Sequence, residues 1–159
     1  MQKITPFLWF DTQAEEAANF YVSIFKDSKM IGCSHYGDTG PGPKGSVMVA
    51  EFELNGQKFC ALNGGPTFKF TEAISMVINC ESQEEVDYFW EKLTADGGQE
   101  VECGWVKDKY GLSWQVTPIK LMEYLKEADQ AKVDRVMAAM MKMKKIDLAT
   151  LDRAARGES

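Results

Sequence analysis

Few residues in this chain could carry chemistry by themselves. Its only histidine, His35, closes a strand-like run beside the Gly/Pro stretch GPGPKG at residues 40–45. A Ser-His-Asp triad or a Cys-His dyad would have to be built on that one imidazole, and a loop histidine is the simpler reading. Four cysteines, Cys33, Cys60, Cys80 and Cys103, stand far apart with no C-x-x-C pair. That spacing indicates neither a zinc ribbon nor a thioredoxin-type redox centre. Gly40, Gly42 and Gly45 satisfy G-x-G-x-x-G as a string, but two prolines interrupt it and the residues that follow, SVMVAEFEL, read as a strand. A phosphate cradle needs a helix N-terminus at that point, so the stretch is read as a strand connection. The most pointed site is Gln115, a carboxamide that both donates and accepts hydrogen bonds, set in CGWVKDKYGLSWQVTP at 103–118.

Composition narrows the partners. Lys and Arg number 18 against 24 Asp and Glu, for a formal charge of -6. No basic patch interleaved with aromatics is present, which argues against nucleic acid or an anionic membrane as partner. No apolar run approaches the length of a bilayer span. The first residues, MQKITPFLWF, lack a long apolar segment followed by a small-residue cleavage site, so reduced thiols and a cytoplasmic location are expected. A small molecule or a protein remains as partner. With 159 residues, 45% apolar and 26% charged, the chain suits one compact unit or two small halves.

The elements that must position these residues come from an internal repeat. EEAANFY at 15–21 recurs as EEVDYFW at 84–90, an offset of 69 residues. Each copy follows a strand-like run, 4–10 and 73–79, and has apolar residues at helical spacing: Ala17, Phe20, Tyr21 and Ile24, then Val86, Phe89, Trp90 and Leu93. Strands are then predicted over 30–35, 46–54 and 58–62, with Asn55-Gly56 as a hairpin turn, and over 100–103, 104–107 and 112–117, with Lys109-Tyr110-Gly111 turning the last pair. Both halves therefore read β-α-β-β-β, an α+β fold whose modules can join their sheets around a cleft. From Ile119 the pattern is helical to the end. Val133, Val136, Met137, Met140 and 143–146 form an apolar stripe expected to dock on the domain or on a second subunit. The organisation predicted is a double module over 1–118, divided at about 66/67, and a helical extension over 119–159.

The repeat and the blocks FLWFD, NFYVSIF, ALNGGPTFKFTEAIS, VDYFW, CGWVKDKYGLSWQVTP and MKMKKIDLATL resemble the PhnB-like family of the vicinal oxygen chelate superfamily, the glyoxalase, bleomycin-resistance and extradiol dioxygenase fold. That family is often labelled 3-demethylubiquinone-9 3-methyltransferase. In metal-dependent members of the superfamily, ligands come from the first and last strands of each half. The resemblance puts Pro6 and Ser75 at the first positions and Cys60 and Gln115 at the last, with the 69-residue offset carrying Pro6 onto Ser75. None is His, Asp or Glu, and proline, serine and carboxamide suit a divalent ion poorly. The resemblance thus implies small-molecule binding without metal or other cofactor, by a homodimer. The candidate ligand-binding residues are Cys60, Asn63, Ser75, Trp105 and Gln115, and Trp9, Trp105 and Trp114 offer aromatic surface. Two alternatives stand beside this: a divergent enzyme acting on a small organic substrate, and a ligand-free dimeric scaffold. No Gly-rich strand-to-helix turn suited to S-adenosylmethionine is legible.

Overall fold

The computed structural model describes residues 2–158. Two compact units follow one another, Met1–Phe70 and Thr71–Ser159. The first comprises β1 (Phe7–Phe10), α1 (Ala14–Ile24), β2 (Lys29–His35), β3 (Val47–Leu54) and β4 (Gln57–Asn63). The second repeats the plan as β5 (Met76–Cys80), α2 (Gln83–Thr94), β6 (Gln99–Glu100), β7 (Trp105–Lys107) and β8 (Ser113–Pro118), with one 3-10 turn at Ala95–Gly97. It then continues into α3 (Ile119–Leu125), α4 (Gln130–Met140) and α5 (Leu148–Ala155). Each module forms its own four-stranded mixed sheet, in the orders β1-β4-β3-β2 and β5-β8-β7-β6. The first strand of each module lies parallel to the last, and the other pairs are antiparallel.

Strand alternation explains which side each sheet buries. In the first module Leu8, Phe10, Ala50, Phe52 and Ala61 are buried, and Tyr21 of α1 stacks on Phe52 at 6.2 Å between ring centroids. Ala14, Ala17 and Ala18 are wholly buried on the same helix, so small side chains let α1 approach the sheet closely. In the second module Ile78, Cys80, Val106, Trp114 and Val116 face α2, which contributes Val86, Phe89, Trp90 and Leu93. The opposite face of each sheet carries no helix of its own module, and apolar residues reach solvent there: Phe7 is 57% and Val77 48% exposed. The Asn55-Gly56 turn has the two positive φ values, 50° and 83°, that a tight two-residue hairpin demands.

The two helices start differently. Ser82 caps α2 by accepting from the Glu85 amide at 3.2 Å, and the Glu85 carboxylate accepts from the Glu81 amide at 2.8 Å, close to a capping box. Gln13, ahead of α1, makes no such side-chain bond. The orphan amide of Ala14 donates instead to the Asn63 carboxamide oxygen, brought 49 residues along the chain by β4.

The extension docks within its own chain, on the second module. Its core is Leu121, Val136, Ile146, Leu151 and Ala155, closed in by Tyr124, Leu125, Ala139 and Met140. The chain from the end of α4 into the start of α5 is fastened by five contacts. Cys103 and Gly104 amides donate to the Met143 and Lys144 carbonyls, both at 2.8 Å. The Gln83 side chain donates to the Ile146 carbonyl at 2.9 Å and accepts from the Leu148 amide at 2.7 Å. The Lys145 ammonium lies 2.9 Å from Asp87. Gly104 is required at this seam: its φ is +85°, and a Cβ there would stand 3.1 Å from the Ile146 side chain. One expectation is corrected. Met137 does not join the buried stripe but is 37% exposed, because Val133 and Val136 already occupy the inward face of α4.

Two predictions follow from the seam. Ile146→Ala removes a fully buried side chain and should lower stability by about 2–5 kcal/mol in urea denaturation. Hydrogen bonding from Gln83, and then Lys145, holds the Asp87 carboxyl below its ordinary value. A lowered carboxyl contributes above its unfolded pKa and is lost as acid protonates it. Hydrogen exchange in residues 143–148 should therefore be insensitive to this group between pH 5 and 8, apart from intrinsic rates, and lose protection below about pH 4.

Candidate functional site

The strand β8 that carries Gln115 is held by a buried carboxylate. Asp108, 3% exposed, accepts from the Tyr110 and Leu112 amides through Oδ1 at 2.9 and 3.1 Å and from the Trp114 indole through Oδ2 at 2.8 Å. Its own amide donates to the Leu112 carbonyl at 2.9 Å, and Gly111 completes the turn with φ +88°. The D-x-Y-G-x-x-W string is thus a turn-and-strand staple. Trp114, counted among the aromatic candidates for the ligand surface, is instead turned into the α2 side of the sheet at 3% exposure, because alternation places it opposite Gln115.

On the helix-free face of this module, Gln115 pairs across the sheet with Trp105 and along the parallel ladder with Val77. Gln115 Nε2 donates to the Ser75 hydroxyl at 2.9 Å. Three of the candidate residues, Ser75, Trp105 and Gln115, therefore form one contiguous group. Ser113 and Lys107, opposed to each other two pairs further along, share the face. Lys107 is ion-paired with Glu72, and the pair draws the Glu72 carboxyl below its ordinary range, chiefly by the hydrogen bond from Lys107. Ser113 is 1% exposed and its hydroxyl has no hydrogen-bond partner among the described residues.

Cys60 and Asn63 belong to β4 of the first unit. Cys60 lies opposite Glu51 and Phe7. Burial, then the Glu51 carboxylate, raise its thiol above the ordinary range, against a smaller lowering by Lys58. A thiol so placed is a poor nucleophile at neutral pH. Asn63 is committed to the protein: Oδ1 accepts from Ala14 at 2.8 Å, Nδ2 donates to the Val47 carbonyl at 3.0 Å, and its own carbonyl accepts from the Tyr36 hydroxyl. No sequence signal marks that role, because Asp11-Thr12 already reads as a polar helix start. Trp9 lies on the helix-free face of β1, its indole donating to the Gly65 carbonyl at 2.9 Å and its ring edge-on to Phe68. His35 ends β2 and is exposed. The GPGPKG loop wraps the Tyr36 ring so tightly that a Cβ on Gly42 would fall 2.3 Å from it, which is why glycine recurs there.

Register corrects one equivalence. Leu8 and Phe10 point inward as Ile78 and Cys80 do, and Cys60 faces Phe7 as Gln115 faces Val77. The strands are therefore related by 70 residues and the helices by 69, because the strand-to-helix connection is three residues in the first module and two in the second. Thr5, not Pro6, is the counterpart of Ser75. The corresponding positions are Thr5 and Cys60 in the first unit, a hydroxyl and a thiol whose pKa is raised, and Ser75 and Gln115 in the second, a hydroxyl and a carboxamide. Neither pair is a donor set that fits a divalent ion, and among the described residues no three His, Cys, Asp or Glu side chains gather where an ion could be held.

The family model for 3-demethylubiquinone-9 3-methyltransferase matches residues 2–117. The chain belongs to this family. It is 42% identical to the PhnB protein from Bacillus cereus, provisionally described as a 3-demethylubiquinone-9 3-methyltransferase, over 74% of this chain and 99% of that one, with a TM-score of 0.67. Protein PA1353 from Pseudomonas aeruginosa shares the fold at 21% identity and a TM-score of 0.58, over 72% of this chain and 95% of that one. No curated protein matches. This chain is thus PhnB-like, as the NGG, CGW and GLSWQ blocks imply, and its helices beyond residue 118 lie outside the matched span.

Asp108→Ala would leave the Trp114 indole and two amides without their acceptor and should cost more than about 3 kcal/mol, at roughly 1–3 kcal/mol per buried unsatisfied group. Asp108→Asn, which keeps an acceptor oxygen, should recover part of the loss in the same thermal-melt series.

Proposed function

We propose that this protein binds a small organic molecule on the helix-free face of its second module, without a tightly held divalent metal. The observation that carries the reading is the Ser75–Gln115–Trp105 group, a hydrogen-bonding pair beside an indole at the positions where metal-dependent relatives would place ligands. A carboxamide there exchanges donor and acceptor roles readily, and an aromatic neighbour supplies apolar area, the usual make-up of a small-molecule site. Methyl transfer, as the family description has it, finds less support in the residues. Neither strand-to-helix connection, Asp11-Thr12-Gln13 or Glu81-Ser82, contains a glycine, and both carry acidic side chains where a cofactor would need backbone amides. The working protein on this reading is a cytoplasmic homodimer.

Native mass spectrometry of protein purified without metal affinity steps tests the reading, since it reports subunit count, metal and co-purified ligand together. A dimer with a bound organic mass and well below one metal equivalent per chain is expected, and stoichiometric zinc or manganese surviving dialysis would overturn the metal-free part. Gln115→Ala should weaken binding of the co-purified compound by about 0.5–1.5 kcal/mol with the fold retained. A large fall in melting temperature at unchanged affinity would assign Gln115 to structure instead.

A further inference from the structure

The same face of the second module holds two groups that the small-molecule reading leaves unused. Ser113 presents a hydroxyl that is almost wholly buried and has no hydrogen-bond partner among the described residues. Burying a hydroxyl unpaired is unfavourable, so its burial at the start of β8 calls for an occupant that pairs with it. Directly opposite stands Lys107. As opposed residues of an antiparallel pair, the two have Cβ atoms about 4.5–5.5 Å apart on one face. The Lys107 ammonium is taken by a carboxylate of the same chain, Glu72, which belongs to the segment leading into β5 rather than to any helix or strand. Gln115 is the next residue of β8 on this face, and Trp105 the next of β7.

We propose that Lys107, Ser113 and Gln115 form a carboxylate-binding subsite, with Trp105 receiving the apolar body of the ligand and Glu72 filling the carboxylate position in the free protein. The proposal rests on the small-molecule reading and gives it a chemical class, an organic carboxylate. Lys107 supplies the charge, Ser113 a hydroxyl donor, and Gln115 a carboxamide already oriented by Ser75. Glu72 is 58% exposed at its side chain. An ion pair that open to water binds its partner weakly, so an incoming carboxylate that also satisfies Ser113 and stacks on Trp105 can displace it. Exchange of one carboxylate for another leaves the local charge unchanged. The distinguishing gain is the pairing of the buried hydroxyl.

Benzoate is a suitable probe, with benzamide as its uncharged counterpart, in NMR titrations that follow the Gln115 side-chain amide and the Trp105 indole. Benzoate should shift both resonances and bind at least about tenfold more tightly than benzamide. Glu72→Gln removes the internal competitor and should tighten benzoate binding severalfold, whereas Lys107→Met should abolish it. Ser113→Ala should weaken benzoate by about 2- to 10-fold, the equivalent of one hydrogen bond. The melting temperature of Ser113→Ala should stay level or rise, a combination that a merely structural serine would not produce. Benzamide binding as well as benzoate, with Lys107→Met without effect, overturns the carboxylate subsite and leaves the small-molecule reading standing. Failure of benzoate to move either resonance also overturns it, while a co-purified organic mass would still decide the broader reading.

Discussion

The second module is organised by a carboxylate that it buries. Asp108 satisfies two amides of the β7–β8 turn and the indole of Trp114 at once. Through those bonds it sets where the turn ends and which side of the sheet the large indole takes. Alternation then leaves Gln115 no choice of face. With β8 in place, the parallel ladder to β5 and the antiparallel ladder to β7 bring Val77 and Trp105 to Gln115 from opposite sides. Ser75, one residue before β5, comes within hydrogen-bonding reach of the carboxamide. Asp108 is thus a structural centre, and the chemistry-bearing face lies on the other side of the strand.

The extension follows the same logic of long-range dependence. Its three short helices have few residues each, and helices of that length are marginal alone. Ile146 is their link to the module, seated against Gly104 and bracketed by the two bonds to Gln83. Gln83 itself sits at the start of α2, so the helix that covers the sheet also holds the extension. The ion pair between Lys145 and Asp87 adds a charge-dependent fastening on the same helix. The second module and the extension are accordingly one energetic unit, whereas the first module closes on itself through α1 and the Asn63 cap.

The two modules also show how a duplicated plan diverges in physical terms. Both keep the strand-helix-three-strand order and the alternation that feeds one core face. They differ in how the helix begins, by a local serine in one and a distant asparagine in the other. They differ again in their helix-free faces. That of the first carries Phe7, Trp9 and a buried thiol at Cys60, that of the second hydroxyls, a carboxamide and a lysine.

Much of this was legible in the residues alone. Periodicity of apolar side chains, the Asn-Gly turn and the repeated EE-x-x-x-F-aromatic helix defined the strands and helices to within a few residues, because those signals are local. The family blocks marked Gln115, Ser75 and Trp105, and the structure gathers these three. The Thr5–Ser75 equivalence was hidden by a single-residue difference in a loop, which only sheet register reveals. Asn63 as a cap, Asp108 as a staple and Ile146 as an anchor join residues tens of positions apart or depend on which way a side chain is turned. The sequence by itself determined the elements and their order, since these depend on neighbours along the chain. Only the tertiary structure decided which polar groups were spent on the fold and which were left to face a ligand, since that depends on what burial brings within hydrogen-bonding distance.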